Sequence, residues 1–223
     1  MVNKNFLTEI RNLLINKRFY VKFNREKIHS FEKQYHGIVK DPDGKIRHLY
    51  KEKKYKISQL KHIYDYLKKK KPGKILDIGC GHGWLLSGLN NKWKKFGLDI
   101  SHYASKNAQK YGEIFVGELK NYKQRNFDVI TALHFIEHHP KPENFIIQVK
   151  KILKKNGILI LETPDFDSAA ARRYKKNFRL LFDKTHISLF SQDSLIRFVR
   201  KYGFELINIE YPYFDTPFFT KKN

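Results

Sequence analysis

The sequence predicts an α/β fold, a mostly parallel central sheet with helices on both faces and an N-terminal helical extension. Three observations point there. From Lys74 onward, short apolar runs alternate with stretches of helical periodicity. One apolar run enters a glycine-rich turn, Gly79-Cys80-Gly81-His82-Gly83. A second apolar run ends on Asp99, 22 residues after Asp77. Strand, helix, strand, helix is the pattern of parallel strands joined by crossover helices. Such sheets take ligands at the carboxyl ends of their strands, where the strand order reverses.

The strands expected are Lys74–Ile78, Lys95–Asp99, Ile114–Val116, Phe127–Ala132, Gly157–Glu162 and Phe204–Tyr211. The helices expected are Trp84–Asn90, Tyr103–Tyr111, Pro142–Leu153 and Gln192–Tyr202. Upstream, Phe6, Ile10, Leu13 and Leu14 follow helical spacing, as do Leu60, Ile63, Tyr64 and Leu67. Asp41-Pro42-Asp43-Gly44 is a turn signal, and the apolar residues around it suit a small hairpin. Lys68–Lys71 and Pro72-Gly73 divide a basic N-terminal extension or cap, residues 1–71, packed on the main domain, from that domain, residues 72–223. An insert at 164–191 spaces Tyr174, Phe178 and Phe182 every four residues, which predicts a helix with one apolar face.

Of 223 residues, 45 are Lys or Arg and 22 are Asp or Glu, a net charge of +23. Residues 1–71 carry about +13 of it, with 20 basic and 7 acidic side chains. The excess suits an anionic partner, nucleic acid among them, and equally a plain lysine bias spread along the chain. No apolar run reaches the roughly 20 residues of a membrane span. The amphipathic start, MVNKNFLTEIRNLL, lacks the apolar core of a secretory leader, and the lone Cys80 has no disulfide partner. The expected location is the cytoplasm.

The glycine turn carries the chemistry. Its spacing, Gly-x-Gly-x-Gly, does not fit the dinucleotide fingerprint Gly-x-Gly-x-x-Gly. Glycines let a ligand approach the backbone closely, and an acidic side chain such as Asp99 at the end of the next strand can accept hydrogen bonds from a ribose diol.

Here the sequence resembles the class I S-adenosylmethionine-dependent methyltransferases, in the branch of the ubiquinone-biosynthesis O-methyltransferases. LDIGCGHG is similar to their first motif and FGLDIS to their second. FDVITALHFIEH is similar to the strand-four motif, an apolar strand followed by Glu-His. LKKNGILILETP resembles the strand-five motif, with Asn156 where glycine is usual, and HISLFS is also typical. The resemblance covers roughly residues 72–211 and implies a Rossmann-like methyltransferase sandwich. It implies that Gly79, Gly81 and Gly83 pass under the methionine part of S-adenosylmethionine, with Asp77 and Cys80 also cofactor-binding and S-adenosylhomocysteine as product. Asp99 would bind the ribose, Ile100 would pack on the adenine, Glu118 would lie near its amine, Leu119 would also contact the cofactor, and Leu133 and His134 would lie beside the sulfonium.

Methyl transfer needs acceptor, methyl carbon and sulfur in line. A hydroxyl acceptor gains from a general base, and His138 and His186 are the candidates. A divalent metal held by Glu137 and a histidine is an alternative; packing or capping is another. His134-x-x-Glu137-His138 also spells a zinc-peptidase motif, which requires one helix carrying both histidines, whereas this one straddles a strand end. His139 is expected to be exposed. Arg172, Arg173, Lys176 and Arg179 in the insert suit a phosphate or carboxylate on the acceptor, or form a solvated basic face. The function expected is O-methylation of an anionic small molecule, phosphorylated, carboxylated or nucleotide-linked, of surface-glycan or secondary metabolism. The alternatives are an RNA methyltransferase and a cofactor-binding protein without catalysis. The strand-four motif lacks the Asn/Asp-Pro-Pro-aromatic signature of base-amine methylation, and Cys80 inside the turn excludes a cysteine nucleophile.

Overall fold

The computed structural model describes residues 18–22, 38–40, 46–181, 183 and 185–212. The expected helix at residues 6–14, the turn at 41–44 and a strand at 213–220 lie outside the described residues.

Five parallel strands form the central sheet: β4 (Lys74–Ile78), β5 (Lys94–Asp99), β6 (Glu113–Val116), β7 (Phe127–Leu133) and β8 (Leu153–Glu162), in the order β6-β5-β4-β7-β8. The chain walks outward from β4 to β6, then returns to the other side of β4. The strand order therefore reverses between β4 and β7, and the carboxyl ends of these two strands open the crevice where such sheets bind ligands. Ile75, Leu76 and Ile78 are fully buried, as a strand covered on both faces requires.

Helices cover both faces. One core joins Ile130, Ala132, Phe127 and Phe96 to Phe145, Ile146 and Val149 of α5 (Pro142–Ile152) and Phe198 of α7 (Gln192–Lys201). The other joins Ile75 and Val129 to Leu85 and Leu86 of α3 (Trp84–Gly88) and to Ile63 and Leu67 of α2 (Lys61–Lys68). Crossover helix α4 (His102–Ala108) links β5 to β6.

The basic N-terminal third contributes further pieces. β2 (Ile38–Lys40) pairs antiparallel with β3 (Ile46–His48), the expected hairpin. α1 (Lys53–Gln59) leads into α2, and Lys53 Nζ donates to the Tyr111 hydroxyl at 3.0 Å. The Tyr64 ring lies across Gly88, where an added Cβ would sit 2.4 Å from Cζ, and its hydroxyl donates to the Trp84 carbonyl at 3.1 Å. β1 (Val21–Lys22) pairs with β9 (Ser188–Leu189).

Two expectations need correction. Residues 204–212 form no strand: Ile207 and Tyr211 stay 70% and 67% exposed, without the ladder that satisfies a strand's backbone. In the insert, α6 (Ala169–Tyr174) stops early because Lys175 turns to φ 48°, and 3-10 turns follow at Lys175–Asn177 and Arg179–Leu181. Phe178 is buried against Phe166 all the same, so its spacing reported burial while the backbone took another route. Phe182 lies outside the described residues.

Candidate active site

The glycine turn leaves β4 with Gly79, Gly81 and Gly83 at φ 75°, 50° and 74°, a region in which other residues are strained. The Gly79 and Cys80 amides donate to the Leu98 carbonyl at 2.7 and 3.1 Å, which ties the turn to the end of β5. The Gly81 amide donates to Asp99 Oδ2 and the Ser101 amide to Asp99 Oδ1, each at 2.8 Å. Turn and carboxylate are thus one unit. Two acceptor lone pairs of Asp99 are used by the protein, and a carboxylate has about four. Burial pushes the Asp99 carboxyl up, while the Ser101 and Gly81 amides oppose the shift.

Beneath the turn, Asp77 is 5% exposed and accepts from Thr131 Oγ1 at 2.7 Å. Burial raises its carboxyl to about 7; Thr131 counters this and the nearby Asp99 adds to it. Burial also drives the Cys80 thiol far above its ordinary range, so it is no nucleophile. His82 is buried too, its ring 5.2 Å from Trp84 and 5.8 Å from Tyr103.

Ile100, 38% exposed, stands just past Asp99. Glu118 is exposed and pairs with Lys120 at 2.8 Å, whereas Leu119 turns into the core. β7 ends at Leu133, and His134 follows it directly. His134 has φ 50°, an unusual value for a side chain other than glycine. Its Nε2 lies 2.9 Å from Glu162 Oε1 and its Nδ1 3.4 Å from Glu137 Oε1. The ring is half exposed, and although partial desolvation works against its charge, the carboxylates of Glu137 and Glu162 prevail and raise it to about 10. Glu162, at the end of β8, also meets His62 Nε2 of α2 at 3.2 Å. Burial would raise Glu162; His134 and His62 hold it down at about 2. Sequence reading gave Glu162 and His62 no role. The available signal for Glu162 was a carboxylate ending a central strand on the ligand side of the sheet.

A second cluster lies after β7. A 3-10 turn, Ile136–His138, is fastened to the end of the insert by three hydrogen bonds. The Ile187 amide donates to the Glu137 carbonyl at 2.8 Å, Ser188 Oγ to the His139 carbonyl at 2.8 Å, and His138 Nδ1 to the Thr185 carbonyl at 3.0 Å. These bonds bring His138 and His186 together, with ring centroids 4.9 Å apart beside the fully buried Glu137. Burial holds the His186 ring below the usual imidazole range. His139, expected to be exposed, is half-buried, its ring 5.9 Å from Phe145, because the turn folds back over α5.

Arg172 and Arg173, the two described basic side chains of those expected to bind the acceptor, have separate partners. Arg172 is engaged by Asp167, with Nη2 3.0 Å from Oδ2 and Nε 3.1 Å from Oδ1. Arg173 lies over the Tyr174 ring at 5.7 Å. The side chains of Lys176 and Arg179 lie outside the described residues.

A parallel sheet in this order, with a glycine turn bonded to a strand-end aspartate, defines the class I methyltransferase fold. The family described as methyltransferase domain matches residues 47–209, and this chain belongs to it. The ubiquinone biosynthesis O-methyltransferase of Idiomarina loihiensis is 28% identical over 134 residues, 55% of this chain and 54% of that protein. The chain spans about half the length of the curated relatives it matches. Among solved structures, an S-adenosylmethionine-dependent methyltransferase of Thermotoga maritima is 26% identical with a TM-score of 0.56, covering 68% of this chain and 73% of that one. The magnesium protoporphyrin IX methyltransferase of Synechocystis, solved with bound S-adenosylhomocysteine, shares the fold at 20% identity and a TM-score of 0.58, covering 74% and 81% of the two chains.

Proposed function

We propose that this chain transfers the methyl group of S-adenosylmethionine to a hydroxyl oxygen of an anionic small molecule. The observation that carries the reading is the Gly81 amide on Asp99, which joins the glycine turn and the strand-end carboxylate at the mouth of the crevice. Asp99 offers its remaining lone pairs to the ribose diol and the exposed Ile100 a face for the adenine. The open glycine turn takes the methionine part. Leu133 ends β7, and His134 follows it, where the sulfonium would stand. The oxygen acceptor is supported by the O-methyltransferase relatives and by the cluster of Glu137, His138 and His186 next along the chain from β7. In this position the cluster handles the acceptor oxygen. The basic insert favours an acceptor bearing phosphate or carboxylate; an intermediate of surface-glycan or secondary metabolism fits that description.

Mass spectrometry of phosphorylated and carboxylated hydroxy compounds, incubated with the protein and S-adenosylmethionine, tests this. The expected product is one methyl heavier on oxygen, and His138→Asn or His186→Asn lowers turnover more than cofactor affinity. Methylation of nitrogen alone, or of RNA alone, contradicts the reading.

A further inference from the structure

Glu162 ends β8 with its side chain 15% exposed and both carboxylate oxygens engaged by imidazoles. His134 Nε2 lies 2.9 Å from Oε1, and His62 Nε2 lies 3.2 Å from Oε2. Against its burial, the two rings hold Glu162 ionised. A carboxylate only accepts, so each ring donates an N–H to it. Hydrogen bonds to a charged acceptor are the stronger kind.

Glu162 grips His134 a second time. Its carbonyl accepts from the His134 amide at 2.8 Å. His134 stands at φ 50°, a conformation that persists only where the surroundings over-determine it. One residue therefore holds both the backbone and the ring of His134. His62 completes the chain from the far side. It is the second residue of α2, and its neighbour Ile63 is buried with Leu67 in the core that α2 shares with Ile75 of β4 and Val129 of β7. That packing fixes α2 against the sheet and brings the His62 ring to the end of β8. A residue of the basic N-terminal third thus reaches the ligand end of the sheet.

We propose that His62 is a positioning residue for methyl transfer, holding His134, through Glu162, at the place where the sulfonium would stand. The inference rests on the methyl-transfer reading. It makes α2 part of the active site as well as a cover on one face of the sheet. Without His62, one oxygen of a mostly buried carboxylate loses its donor. Glu162 can then turn, and its grip on the His134 ring loosens. His62 acts through Glu162 and not by contact with the cofactor.

Calorimetry of the whole chain with S-adenosylmethionine and with S-adenosylhomocysteine tests this without an acceptor. His62→Ala should weaken S-adenosylmethionine binding about fivefold or more, within the range seen for coupling along packed networks. His62→Gln, whose side-chain amide can donate to Glu162 in place of the ring, should restore most of the loss. His134→Asn suits the positive φ and should itself bind more weakly. The double variant, His62→Ala with His134→Asn, should bind no more weakly than His134→Asn alone. A merely structural His62 would add its loss to that of His134→Asn. The proposal is overturned if His62→Ala binds as the wild type does, if glutamine restores nothing, or if the two losses add. If circular dichroism shows that His62→Ala does not fold, ring-nitrogen magnetic resonance of the unaltered chain decides, with His62→Gln to assign the signal. S-adenosylmethionine should then shift the His62 and His134 signals together, and a His62 signal that stays in place overturns the proposal. A wild type that binds the cofactor no better than His62→Ala sinks this inference alone. A wild type that binds neither compound sinks the cofactor reading itself.

Discussion

Asp77 shows how a single buried carboxyl links fold to pH. Its folded form keeps the proton to about pH 7, whereas an unfolded chain releases it near pH 4. Between those values the unfolded state binds fewer protons, so this group makes the ligand-free protein less stable as pH rises. Denaturant unfolding of the wild type and of Asp77→Asn, compared across this range, should show the wild type losing stability on the order of 1 kcal/mol or more relative to the variant. Parallel curves would contradict the assignment. Legibility at the residue scale was uneven. Asp77, Asp99 and the three glycines stood out because their spacing along the sequence is itself the constraint. Glu162 and His62 did not, since 100 residues separate them and only the packing of α2 against the end of β8 brings them to 3.2 Å.

Elements were legible where one local force dominates. The apolar run Phe127-Asp128-Val129-Ile130-Thr131-Ala132 became β7, and Ile63 and Leu67 placed the buried stripe of α2. Asn156, in place of glycine, adopts φ 61°, which asparagine tolerates better than most side chains. Legibility failed where tertiary contacts overrule periodicity, as in the insert, whose aromatic spacing persists without a continuous helix. Helix α7 follows local rules closely. Ser191 accepts from the Ser194 amide at 3.2 Å, and Ser194 Oγ accepts from the Ser191 amide at 2.9 Å. Because α7 sends Phe198 into the main core, losing this cap should be felt globally. Ser191→Ala is expected to cost about 1 kcal/mol, measured by chemical unfolding; a change within error would show that packing alone sets the start of α7.

For the whole molecule, the order β6-β5-β4-β7-β8 decides what the sequence could only suggest, that segments distant along the chain meet at one edge of the sheet. The turn at 79–83 meets Asp99, and the turn at 136–138 meets the end of the insert at 185–188. Among the described residues no helix is long and apolar enough to cross a membrane. The net charge of +23 is a property of the whole chain, and one of its cations, Arg172 of the insert, is engaged by Asp167. The central claim is therefore about convergence: one adenosyl ligand is held jointly by the glycine turn and Asp99. Calorimetric titration with S-adenosylhomocysteine tests it directly. The wild type should bind one molecule per chain, and Asp99→Ala should bind about tenfold more weakly or worse, the loss expected for hydrogen bonds to a charged group. Equal affinity in the two proteins, or no binding by either, would contradict it.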